Sequence, residues 1–208
     1  MKELLETPVT ITLLFANAAI YLWIKYSNPV YFERFAEWPY QIIHKQRYYQ
    51  IITSAFLHVD IMHLFFNCFA LFSFGQVLES LFVKSFGFTS GSIYFILIYF
   101  ISLLSGSLFT VLFHYKNPSY VAVGASGAVS GIVFSYIIFF PTSTIGFFFM
   151  PMPAYIFALI YMAASIYGMK TRLGNIGHEA HLGGAIGGVI ATLILIQGAF
   201  QILVGHFT

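Results

Sequence analysis

Charge is what this chain has least of. Only 8% of its 208 residues are Asp, Glu, Lys or Arg, against 59% hydrophobic residues, whereas an ordinary soluble domain carries about 25% charged residues. Such a set cannot cover a water-facing surface, so a soluble protein is excluded and a polytopic membrane protein is expected. The formal net charge is only +2, and no Lys/Arg cluster offers a footprint for nucleic acid. The single cysteine, Cys68, excludes an intrachain disulfide and a cysteine-based metal site. It falls in an apolar segment, where a thiol packs as a small hydrophobe. Strand-like alternation is also missing, which argues against a transmembrane β-barrel. No repeat, low-complexity stretch or second domain is visible, so residues 1–208 are expected to form one membrane domain.

What is present is a series of six apolar segments, over 8–24, 61–83, 92–113, 126–140, 153–169 and 179–200. The fold class expected is all-α, a bundle of six transmembrane helices. Glu3 and Glu6 offset Lys2, and the apolar stretch after Pro8 outruns a signal-peptide core, so the first segment reads as a span. Thr7-Pro8 supplies an N-cap and N1 pair for it. The connection from Lys25 to about Asp60 holds Glu33, Arg34, Glu37, Lys45 and Arg47. A loop that long is usually functional or carries short helices of its own. The fourth segment, stopped by Pro141, covers only about 21 Å, whereas the hydrocarbon core is about 30 Å thick. Ser126 is therefore expected below the near surface, with the backbone of 121–125 dipping in behind it. Non-helical backbone is tolerated at that depth only inside protein or beside a wet cavity, so a water-filled pocket with Ser126 at its floor is expected.

Polar side chains in spans cost free energy and mark interiors and sites. Here they are His58, His63, Asn67 and Glu79 around the second span, then His114, then Ser126, Ser130 and Ser135. His178, Glu179, His181 and Gln197 belong to the sixth. His63 and Asn67, four apart, share one helix face. They can aim an imidazole and an amide at a developing oxyanion, or bind neighbouring helices together. His58 is expected at the interface.

Ser126 lies in the run Gly124-Ala125-Ser126-Gly127-Ala128-Val129-Ser130-Gly131. Such a run by itself speaks for close packing. Its place at the head of a helix adds free N–H groups and the positive end of the dipole. Serine needs a base to become a nucleophile. His181, in Ala180-His181-Leu182-Gly183-Gly184, heads the sixth span, which runs parallel to the fourth and so stands at the same level. Gly127/Gly131, Gly183/Gly187 and Gly184/Gly188 form small-xxx-small faces that let helices approach closely. His178-Glu179-Ala180-His181 separates its histidines by three, not the four of a zinc-binding helix, so no metal and no cofactor are expected.

Together these residues resemble the rhomboid intramembrane serine proteases. The resemblance rests on Gly124-Ala125-Ser126-Gly127, Ala180-His181 followed by Gly183-Gly184, His58-x4-His63-x3-Asn67, and the lead-in Thr53-Ser54-Ala55-Phe56-Leu57-His58. It covers nearly the whole chain. It implies Ser126 as nucleophile and His181 as general base, a dyad without an aspartate. It further implies an oxyanion hole of His63, Asn67 and the Ser126 backbone N–H. Gly124 would let the loop approach substrate, Phe66 would be a gating aromatic, and the loop from Lys170 to Gly177 would cap the site. The substrates implied are transmembrane helices of other proteins, locally unwound, met in the lipid bilayer. Two departures stand out. Ser130 occupies a position where some members carry a tyrosine stacked on the histidine, and the aromatic–arginine pair of the first loop appears as Tyr49-Gln50 with Arg47 displaced.

The alternative is a catalytically inactive relative that binds membrane helices; the presence of both Ser126 and His181 speaks for the protease. A transporter would show inverted repeats and broken, charged spans, which this sequence lacks. The resemblance implies a prokaryotic cell membrane and a cytoplasmic N-terminus. The charges point the other way, with Lys2 and Lys84 on that side against Lys25, Arg34, Lys45, Arg47, Lys116, Lys170 and Arg172.

Overall fold

The structure, a computed structural model, describes residues 6–147, 150–171 and 177–208. Helix α1 spans Pro8–Lys25. Its first free N–H groups are met by a residue from elsewhere in the chain. Glu79, fully buried, accepts from Val9 N at 2.9 Å and Thr10 N at 2.8 Å. Thr7 stands at the N-cap as expected, but its side chain makes no capping bond. A carboxylate at a helix N-terminus answers both the orphan donors and the dipole, so Glu79 is a cap for α1.

The long first loop does carry helices: α2 (Val30–Phe35), α3 (Pro39–Lys45) and α4 (Gln50–Thr53), followed by a 3-10 turn at Ser54–Phe56. The second span is α5 (Ile61–Ala70), a π-helical turn at Leu71–Gly75, and α6 (Gln76–Phe86). Helix α7 follows over Phe88–His114. Helix α8, Ser126–Phe139, is the centre of the bundle: every residue except Ser126 and Tyr136 is buried. A short hairpin, β1 (Thr144–Phe147) with β2 (Met150–Pro153), pairs antiparallel with Ile145 opposite Met152. Then come α9 (Ala154–Thr171), α10 (His178–Leu195) and α11 (Ala199–Gly205).

Among the described residues, four helical stretches are long and apolar enough to cross a membrane: Pro8–Lys25, Ile61–Phe86, Phe88–His114 and His178–Leu195. The six-span expectation is thus met only in part by length and composition. Helix α8 is short, as its sequence implied, and α9 is diluted by Tyr155, Tyr161, Tyr167 and Lys170. The sixth span also ends earlier than expected. Ile196 turns extended and Gly198 adopts φ +85°, a left-handed step that breaks the helix before α11. Large apolar side chains such as Phe15, Leu112, Leu159 and Ile194 stand mostly exposed on the outside, as a lipid-facing surface requires. The protein is an integral membrane protein.

Glycines set the distance between the inner helices. A Cβ on Gly184 would overlap the Gly127 carbonyl, and one on Gly188 would overlap the Gly131 carbonyl. The Gly184/Gly188 face of α10 therefore packs backbone to backbone on the Gly127/Gly131 face of α8. The second stripe faces a different neighbour: Gly183 and Gly187 pack on Ser105 and Phe109 of α7. Hydrogen bonds reinforce the seam, from Thr192 Oγ1 to Ser135 Oγ at 2.7 Å and from Ser135 Oγ to the Gly188 carbonyl at 3.2 Å.

Candidate active site

The heads of α8 and α10 meet directly. A Cβ on Gly127 would stand 3.1 Å from the Ala180 carbonyl, and one on Gly106 of α7 would stand 2.7 Å from the same oxygen. Ser126 and His181 flank this contact, one residue from each side of it. Both are half-buried. Among the described residues no hydrogen bond joins Ser126 Oγ to the His181 ring; in unliganded enzymes such bonds are often long and tighten on substrate. The Ser126 carbonyl accepts from Ser130 Oγ at 2.7 Å.

The histidine–asparagine face is built on α5. Asp60 caps this helix, accepting from His63 N at 2.7 Å. Asn67, buried, donates from Nδ2 to the His63 carbonyl at 3.1 Å. The loop before Ser126 comes up against this face at Gly124, whose φ is +121°. A Cβ there would lie 2.6 Å from His63 Cε1, 2.7 Å from Nε2 and 3.8 Å from Asn67 Nδ2. Only glycine takes that backbone shape without strain while touching an imidazole. The structure therefore brings Gly124, His63 and Asn67 together, two residues from Ser126.

Loop 1 holds that arrangement from behind. Gly124 N donates to the Ser54 carbonyl at 2.9 Å, and Glu37 and Ala122 exchange backbone bonds at 2.9 Å in both directions. Trp38 Nε1 donates to the Pro118 carbonyl at 2.9 Å. Glu37, buried, accepts from Ser107 Oγ. Burial pushes its carboxyl up to about 8, with the Ser107 bond acting against the shift. At the same level His114 Nε2 lies 3.2 Å from Glu179 Oε1, and the His114 ring stacks on Tyr120 with centroids 3.5 Å apart.

His58, just ahead of α5, is 3% exposed and stands edge-on to His63 at 5.0 Å. Burial first, then the neighbouring His63, holds its imidazole down at about 4, so it is neutral at pH 7. A cavity of about 20 Å³ is lined by Glu37, Ser54, Ser107, Gly124, Gly127 and Ala180. That is room for about one water molecule. Phe66 lies on the outer face of α5, 53% exposed, with its ring against Phe65. Most of the expected cap between Lys170 and Gly177 lies outside the described residues.

Sequence reasoning missed three contributors. Asp60 was findable, since Asp-x-x before an apolar run is a cap signature. The Glu37–Ser107 pair joins residues 70 positions apart and leaves no local signal. Tyr161 of α9 stacks on His181, with ring centroids 5.9 Å apart and 26° between planes; it looked like one of several tyrosines in an apolar helix.

Residues 45–198 match the family described as "Rhomboid domain". Among curated relatives, "RHOMBOID-like protein 12, mitochondrial" of Arabidopsis thaliana is 27% identical over 97% of this chain and 62% of its own length. "Rhomboid protein 1, mitochondrial" of Saccharomyces cerevisiae is 34% identical over 67% of this chain and 40% of its own. "Rhomboid protease GluP" of Bacillus subtilis is 30% identical over 74% of this chain and 27% of its own. This chain thus spans between about a quarter and three fifths of these relatives. Mitochondrial and bacterial proteins both stand among them, so the resemblance does not favour a prokaryotic membrane.

Proposed function

Because the chain belongs to the rhomboid family, we propose that it is an intramembrane serine endopeptidase, acting as one membrane domain on transmembrane helices of other proteins. Ser126 Oγ attacks the scissile carbonyl while His181 takes its proton. His63, Asn67 and the Ser126 N–H donate to the resulting oxyanion. His181 then returns the proton to the leaving amine, and water, activated by the same imidazole, releases the acyl group. No metal or cofactor enters any step.

The observation that carries this reading is the setting of Gly124. Its positive φ and its contact with the His63 ring hold the nucleophile loop against two side-chain donors, an arrangement that structural packing alone does not require. The Gly127–Ala180 contact adds support by levelling Ser126 with His181. The test is reconstitution in liposomes with a labelled single-span substrate. Wild type is expected to cut, and Ser126→Ala and His181→Ala are expected not to. Cleavage by Ser126→Ala at the wild-type rate would sink the mechanism. Binding of the helix by wild type without cleavage would instead favour an inactive helix-binding protein.

A further inference from the structure

We propose that Tyr161 is the positioning residue for His181, seating the imidazole with its ring and tying it to the nucleophile's own helix through its hydroxyl. This rests on the reading of Ser126 and His181 as the reacting pair.

The geometry has three parts. The Tyr161 ring lies along the His181 ring, 5.9 Å between centroids at 26°, within the range of offset aromatic stacking. The phenol is itself clamped, with Phe134 of α8 at 5.5 Å and Phe157 of α9 at 5.7 Å. Its hydroxyl is hydrogen-bonded to Ser130 Oγ. The direction of that bond follows from proton counting. A serine hydroxyl has one proton to give, and Ser130 gives it to the Ser126 carbonyl at 2.7 Å. Tyr161 must therefore donate to Ser130. The chain runs from the Tyr161 hydroxyl to Ser130 Oγ to the carbonyl of Ser126, while the same ring backs His181.

This gives the departure at Ser130 a physical meaning. A serine at that position is too small to reach the His181 ring. What it does is anchor an aromatic ring delivered from the adjacent span. The pair Ser130 and Tyr161 together do what one large side chain on α8 would do alone. A phenol bound at both ends restricts rotation of the imidazole, and a general base needs that restriction to face the serine proton.

The experiment compares kcat, KM and the pH profile of cleavage of a labelled single-span peptide for reconstituted wild type, Tyr161→Ala, Tyr161→Phe, Ser130→Ala and the double variant Tyr161→Phe/Ser130→Ala. Tyr161→Ala is expected to lower kcat by roughly 100-fold with KM little changed, a loss of the size given by a misplaced general base. Its pH limb assigned to His181 should move. Tyr161→Phe keeps the ring and should recover most of the rate. Tyr161→Phe and Ser130→Ala remove the same bond, so their modest losses should not add in the double variant. A Tyr161→Ala enzyme with wild-type kcat and an unmoved pH limb would overturn the proposal. So would a fall in kcat without movement of that limb, which marks a merely structural side chain. Should Tyr161→Ala fail to fold, additive losses from the two milder changes would overturn it equally. Failure of wild type itself to cleave would remove the dyad reading and this proposal with it, an outcome distinct from every other.

Discussion

Replacing Gly124 with alanine tests whether loop shape and oxyanion site are one device. The substitution does two things at once. It forces a residue with a Cβ to hold φ +121°, a sparsely populated conformation that costs about 1–3 kcal/mol. It also places that Cβ 2.6 Å from His63 Cε1, well inside the roughly 3.5–4 Å of an ordinary contact. Either the imidazole moves or the loop does. If the ring moves, an oxyanion donor is lost, at a cost of about 10²–10³ in kcat. If the loop moves, the bond from Gly124 N to the Ser54 carbonyl is strained, and the melting temperature falls by roughly 2–4 °C per kcal/mol in a protein of this size. The assay is kcat on a reconstituted substrate together with thermal unfolding in detergent. The control is Gly146→Ala, where the space is open and φ is not in the left-handed region; it should change neither. A third comparison isolates the cause. If Gly124→Ala acts through His63, its effect and that of His63→Ala should be strongly non-additive. Wild-type kcat in Gly124→Ala, or losses that simply add in the double variant, would show that Gly124 does not hold His63 in place.

Asn67→Ala should lower kcat by about 10²–10³ while leaving binding of substrate nearly unchanged, as removal of one oxyanion donor does; a changed KM with constant kcat would contradict its role. Glu79→Ala should destabilise the protein by several kcal/mol, because it strands two N–H groups of α1 that each cost about 1–3 kcal/mol when unpaired, and unfolding in denaturing detergent reads this directly. Glu37 gives a pH signature. Its folded carboxyl sits at about 8 against about 4.5 when free, so the unfolded chain ionises first as pH rises. The stability of the neutral form is complete below about 4.5 and is lost progressively up to about 8. Thermal unfolding of wild type should therefore weaken over that window, and Glu37→Gln should weaken less; parallel curves would show that Glu37 does not titrate in the fold.

Sequence patterning was enough to place the helix heads at Ser126 and near His181, because a polar loop entering an apolar run and a glycine repeat every four residues are local signals. The same repeat announced the α8–α10 seam, although only coordinates show that Gly183 and Gly187 serve α7 instead. What lay beyond reach depends on side chains far apart in the chain. Glu79 is one of several polar residues of the second span in the sequence, and only the fold shows it capping the N-terminus of α1. Loop 1 and the loop before Ser126 fold together through the Glu37–Ala122 bridge, a contact with no trace in either segment. Tyr161 is informative only beside Ser130, 31 residues away.

The central claim is that Ser126 is a nucleophile made reactive by His181. Its most direct test is mass spectrometry after treating the reconstituted protein with a fluorophosphonate, which captures activated serines. A single phosphonyl adduct on Ser126 is expected in wild type and almost none in His181→Ala. An adduct spread over other serines, or formed on Ser126 at the same rate without His181, would contradict it.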